Sequence, residues 1–130
     1  MTKEWTLAWG DNHQPVAVTD ADHLVSLLRD AAKEAATTRT MVELVAPSGA
    51  SCAIGLGGAS SVATFMANAS EPPWFISRGA GSSDAPLVFF YNGHLTEFGP
   101  EAAIPIGDAL AAVRAFYETG ARPNIDWDKA

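Results

Sequence analysis

Asn92-Gly93 stands between two short β-rich runs, LVFFY at 87–91 and HLTEF at 94–98. Both positions of the favoured two-residue turn demand positive φ, so Asn-Gly between such runs predicts a tight antiparallel hairpin. Counting back from the turn sets Tyr91 opposite His94, Phe90 opposite Leu95, Phe89 opposite Thr96 and Val88 opposite Glu97. One face then carries Val88, Phe90, Leu95 and Glu97. The other carries Leu87, Phe89, Tyr91, His94, Thr96 and Phe98. Both faces are largely apolar, which predicts a central place in the sheet, and either face could meet a helix.

The rest of the chain supplies that sheet and its cover. Glu4 to Trp9 alternates as a first strand with Trp5, Leu7 and Trp9 on one side. Gly10 to Pro15 reads as a polar turn. Thr19 with Asp22 three residues on resembles a capping box, and Leu24, Leu27, Leu28, Ala31 and Ala35 follow at helical spacing. This predicts an amphipathic helix of roughly 17 residues whose stripe needs a sheet beneath it. Met41 to Ala46, Ser51 to Leu56, Val62 to Ala67 and Trp74 to Ser77 read as strands, separated by Pro47-Ser48-Gly49, Gly57-Gly58 and Glu71-Pro72-Pro73. Turns this short join antiparallel neighbours, because a parallel crossover takes about a dozen residues or more. Arg78 to Pro86, rich in Gly and Ser, predicts a surface loop. Ile106, Leu110, Val113 and Tyr117 mark a second helix to Thr119, stopped by Gly120 and Pro123. Asn124 to Trp127 reads as a short closing strand. The order β-α-β-β-β-β-β-β-α-β describes an α+β fold, an antiparallel meander packed with two α-helices, and residues 1–130 read as a single domain.

Composition narrows the function. Fifteen acids against eight bases leave a formal charge of −7 and a pI near 4.7. Phosphate binding needs a basic footprint, so nucleic acid is not expected as a direct partner. An acidic surface serves solubility, or attraction to a basic protein. Cys52 is the single cysteine, so no intrachain disulfide can form, and its place in the alternation Cys52, Ile54, Leu56 marks a buried hydrophobe rather than a nucleophile. The N-terminus lacks the pattern of a signal peptide, and no apolar run approaches the about 18 residues of a spanning helix. A cytoplasmic protein away from the membrane is the expectation.

A search for chemistry finds little. None of His13, His23 and His94 is followed two residues later by Glu, and no C-x-x-C occurs, so the zinc-deaminase signature is missing. No H-E-x-x-H or paired-cysteine spacing offers a metal site. Gly55 to Ser60 loosely resembles a phosphate loop but leads into a strand, where no helix N-terminus awaits a phosphate. No serine sits in G-x-S-x-G. Glu97 and Glu101 flank Gly99-Pro100 and could converge as an acid–base pair with Glu97 partly buried; the simpler reading has Glu97 solvated or paired with a base such as Arg122. No catalytic residue, metal ligand or cofactor is expected. Trp5, Trp9 and Trp127 are expected in the core, whereas Trp74, after Pro72-Pro73, could be core or an exposed anchor for a partner.

One resemblance stands out in the last third of the chain. Phe89-Phe90-Tyr91-Asn92-Gly93, Thr96-Glu97-Phe98, Ile104-Pro105, the alanine-rich helix, Thr119-Gly120-Ala121-Arg122-Pro123 and Trp127 resemble the first-numbered immunity protein family of bacterial polymorphic toxin systems. Ile104 replaces the usual valine, and Gly99-Pro100 departs from the usual Phe-Pro junction. The resemblance implies an antidote that binds and neutralises a secreted toxin, often one with a cytidine-deaminase-like fold. The matched residues Tyr91, Gly93, Glu97, Phe98, Pro105, Gly120, Arg122, Pro123 and Trp127 are expected to be scaffold.

A toxin that edits nucleic acid presents a basic groove, which an acidic inhibitor reaches quickly by electrostatic steering. Asp11, Glu71, Trp74 and Asp84 are the expected contacts to that toxin. A self-associating scaffold module, or a small hydrolase with a deep polar pocket, is the alternative.

Overall fold

Alternation along the central strands sends one set of side chains toward the helices and the other to the opposite side, and the strand at Ser51–Leu56 is buried on both. The computed structural model describes residues 4–9, 15–35, 39–68, 73–79, 86–91 and 94–129. Among them, β1 (Trp5–Trp9), β2 (Val16–Val18), β3 (Thr40–Val45), β4 (Ser51–Leu56), β6 (Ala63–Met66), β7 (Trp74–Ser77) and β11 (Trp127–Lys129) lie side by side in the order β11-β7-β6-β4-β3-β1-β2. Every pairing along this path is antiparallel. β5 (Ser60–Ser61) pairs separately with β10 (Ile104–Pro105).

The two helices, α1 (Ala21–Glu34) and α2 (Ile106–Thr119), pack into one cluster on one side of the sheet. Leu24, Leu27, Leu28 and Ala31 of α1 and Ala109, Val113 and Phe116 of α2 meet Leu7, Leu44, Cys52, Ile54 and Phe65 there. Phe116 is fully buried, edge-on to Trp5 at 5.1 Å and to Phe65 at 5.6 Å between ring centres. Truncating such a ring to alanine costs about 3–5 kcal/mol. The amphipathic stripes thus settle which side of the sheet the helices cover.

Local signals explain the helix ends, with one shift. Asp20, not Thr19, is the N-cap of α1: its carboxylate accepts the His23 N–H at 2.8 Å. His23 Nδ1 in turn accepts the Thr19 N–H at 3.1 Å. The arrangement resembles a capping box moved one residue on, except that the returning bond, from imidazole rather than carboxylate, reaches the residue before the cap; Asp22 lies in the first turn where its charge suits the helix dipole. Pro105 precedes α2, where its fixed φ suits entry into a helix. Gly120 closes α2 with φ of 70°, its N–H donating to the Phe116 carbonyl at 2.7 Å.

The hairpin β8 (Leu87–Tyr91) and β9 (His94–Phe98) has the register read from the sequence at all four of those pairs, and its place in the sheet corrects the expectation. It is not central. β8 touches the sheet through one parallel bridge, Thr40 to Phe90, with Phe90 N–H donating to the Arg39 carbonyl at 2.8 Å. Among the described residues, β9 pairs with β8 alone. β1 pairs with Val42–Val45 of β3, and the hairpin joins where that pairing stops. Its Leu87, Phe89 and Phe98 pack with Met41, Ala53, Val62, Ala102 and Ala103 in a second cluster, on the helix-free side. The outer face remains open: Leu95 is 68% exposed and Val88 39%. Two apolar faces on a hairpin therefore signal one buried face and one exposed, rather than a central strand pair.

Two buried serines tie these layers together. Ser61 Oγ donates to the Gly55 carbonyl at 2.6 Å and accepts the Gly55 N–H at 3.1 Å. Ser77 Oγ accepts the Ala63 N–H at 3.0 Å and donates to the Ala102 carbonyl at 2.7 Å. The second links the sheet to the 3-10 turn at Pro100–Ala102 that follows the hairpin. Both hydroxyls are satisfied, as burial requires.

Candidate functional site

On the helix-free side the hairpin covers Met41, Ala53 and Val62; beyond it Thr6, Val45, Thr64 and Met66 are half-buried and Trp74 is exposed. Direct cross-strand neighbours share a face. One row runs Trp74, Met66, Ser51, Val45, Thr6 from β7 to β1. The next runs Ile76, Thr64, Ala53, Glu43, Ala8. Trp74 is 41% exposed at the margin of the first row, so it is not a core residue. Trp5, Trp9 and Trp127 are instead partly buried against the helix-side core. Trp9 Nε1 donates to the Glu34 carboxylate at the end of α1.

Glu43 is the residue that sequence reading passed over. It is the one acid in the run TMVELV, and its register sets it on the side opposite Val42 and Leu44. There it is half-buried, and Tyr91 reaches over from the hairpin to donate its hydroxyl to Oε2 at 2.7 Å. Burial first, and then the Glu43 charge, push the Tyr91 hydroxyl well above its ordinary range, while Thr64 acts in the opposite direction. The phenol therefore stays protonated and works as a donor. A carboxylate accepts through two oxygens, so Glu43 keeps acceptor capacity toward a cation arriving from outside. The signal was legible in principle: an acid placed in an otherwise apolar strand.

Beside this face, a cleft of about 460 Å³ is lined by Glu97, Glu101, Arg78, Asp128 and Lys129 among others. Glu97 and Glu101 do share a cleft, but Glu97 is exposed, so the partly buried acid is corrected. Arg122 does not pair with Glu97; its guanidinium lies 4.3 Å from the centre of the Phe75 ring. Arg78 takes the Asp128 carboxylate instead, at 3.1 Å on the open surface, where such a pair adds little stability.

The other residues singled out in the sequence fall as follows. Phe98 is buried against Phe89 at 6.4 Å, and Pro123 is buried with its carbonyl accepting the Trp127 indole N–H at 2.9 Å. Pro105 and Gly120 bound α2. Asp11, Glu71, Asp84 and Gly93, with the Asn92-Gly93 turn, lie outside the described residues. Burial, and then Glu43, push the Cys52 thiol up to about 12, so it is a neutral core side chain at neutral pH. Among the described residues, no cluster of His, Cys, Asp and Glu could hold a metal ion, and no helix is long and apolar enough to cross a membrane.

The model of the family described as Immunity protein Imm1 matches residues 12–128, nearly the whole chain. The chain belongs to the Imm1 family. As an Imm1 member it is an immunity protein, and its partner is a toxin. No curated protein matches it closely enough to count as a relative. The Imm1 match extends well beyond the C-terminal third that carried the resemblance, taking in α1 and the meander.

Proposed function

We propose that this Imm1 protein neutralises a nucleic-acid-directed toxin, of deaminase type, by covering its substrate groove with the helix-free face of the sheet. The observation that carries the reading is that an exposed aromatic, Trp74, and a half-buried acceptor, Glu43, stand three strands apart on the one face the helices leave uncovered. Aromatic anchors beside desolvated charge contacts are the usual centres of binding energy at interfaces. A groove that holds phosphate is lined by Arg and Lys, and Glu43 offers such a cation a partly dehydrated carboxylate. Glu71, Asp84 and Asp11 are further carboxylates for the same contact. The net charge of −7 speeds the encounter and makes it salt-dependent. Blocking of this kind needs no catalysis and no cofactor, and it takes place in the cytoplasm of the producing or sibling cell.

The test is protection in co-expression with the toxin encoded by the neighbouring reading frame, together with the affinity of the purified pair. Glu71→Lys with Asp84→Lys should abolish protection; unchanged protection and affinity discard this choice of surface. A second reading, self-association, draws on the one-sided pairing of β9 and the exposure of Leu95. Light scattering across a concentration series separates a monomer from a paired-edge assembly.

A further inference from the structure

The opposite side of the molecule carries a cleft that the open-face reading leaves unused. It lies between α1 and α2, has a volume of about 570 Å³, and is walled by Leu28, Leu56, Ile106 and Leu110. Ala32 and Gly58 contribute almost no side chain, which leaves the space between the helices unfilled. Arg29 from α1 and Arg114 from α2 line it. Arg39 adds a third guanidinium at the glycine end, where its Nη2 would stand 3.3 Å from a Cβ placed on Gly58.

Three of the eight basic residues of a chain with charge −7 thus gather around one apolar cleft. Among the described residues, none of the three pairs with a carboxylate, and Arg78–Asp128 is the ion pair that forms. Acids outnumber bases in the chain, so three guanidinia without a carboxylate partner among the described residues are a local departure from its charge balance.

We infer that this cleft binds an acidic segment of the toxin, in which one apolar side chain enters between the helices and flanking Asp or Glu side chains meet Arg29, Arg114 and Arg39. The inference rests on the immunity reading and extends it to a second contact on the far side of the sheet. Three cations around one apolar hole match several carboxylates around one apolar anchor better than they match a fatty carboxylate, which brings a single charge. Guanidinium pairs carboxylate through two parallel hydrogen bonds, so the contact selects acidic sequence and not merely apolar surface.

The experiment is selection of a random peptide display library on the full-length wild-type protein, with Arg29→Glu/Arg114→Glu and Ala32→Trp as comparison baits and dodecanoate as a separate ligand. The second variant fills the cleft without changing charge. Enriched peptides should combine one large apolar residue with neighbouring Asp or Glu, and each variant should weaken them about tenfold or more. Enrichment of neutral or basic peptides, of acidic peptides indifferent to both variants, or of none overturns the inference. So does dodecanoate binding in the cleft while no acidic peptide is selected. The two readings fail separately: a wild-type protein that selects acidic peptides but binds no toxin overturns the immunity reading alone, and a toxin bound with no peptide selected overturns the cleft alone.

Discussion

The Phe89 ring lies directly on Gly55, so that a Cβ added to that glycine would come within 2.4 Å of Phe89 Cε1. This contact seats the hairpin on β4 and closes the second core cluster. Gly55→Ala should therefore force a fully buried ring out of place and cost about 1–3 kcal/mol, the usual range for overpacking. Urea unfolding checks it. Phe89→Leu in the same chain should recover part of the loss, because residues in contact do not contribute independently.

Ser77 makes a different kind of link, by hydrogen bonds rather than packing. Ser77→Ala leaves the Ala63 N–H and the Ala102 carbonyl without their partner in a buried site. The expected cost is about 1–3 kcal/mol. Amide exchange at Ala63 should accelerate more than at residues of β3, which keep their ladder partners.

Cys52 gives a pH signature. Its thiol is pushed up to about 12 in the folded protein from an ordinary value of 9.0. Above pH 9 the unfolded chain loses this proton while the folded chain keeps it. Unfolding is then favoured as pH rises, so the contribution is complete below pH 9 and lost on the way to 12. Wild type should lose stability over this range faster than Cys52→Ala, measured by denaturant melts at stepped pH. At pH 8 the thiol should resist maleimide until the protein unfolds.

Asp20→Ala should cost about 1 kcal/mol through loss of the α1 cap. Thr19→Ala and Asp22→Ala should each change the melting point far less, which distinguishes the observed cap from the one the Thr-x-x-Asp spacing suggests.

That shift by one residue illustrates what sequence can and cannot carry. Spacing sets periodicity firmly, so both helices, the strand at Ser51–Leu56 and the hairpin register were legible from local pattern alone. Whether Thr19 or Asp20 caps depends on which backbone takes extended dihedrals, and neighbouring capping residues do not decide that. The hairpin's peripheral position depends on where β1 stops pairing with β3, a tertiary fact invisible in either segment. Short β5 and β10 meet across some forty positions of chain, so no local signal announces them. For the site, Trp74 was legible as an exposed-aromatic alternative. Glu43 gains meaning from Tyr91, a neighbour 48 positions away. The arginine cleft emerges once two helices are set side by side.

The central claim is that the helix-free face is the surface that meets the toxin. The most direct measurement is the calorimetric affinity of the toxin domain for wild type and for Trp74→Ala/Glu43→Gln, with thermal melts of both to show a common fold. Glutamine can still accept the Tyr91 hydroxyl, so the hairpin keeps its tether while the charge is removed. The predicted result is an affinity lower by about thirtyfold or more, in line with loss of an interface hot spot, together with loss of protection in cells. Equal affinity and full protection from a folded double variant would contradict the account and move the interface to another face.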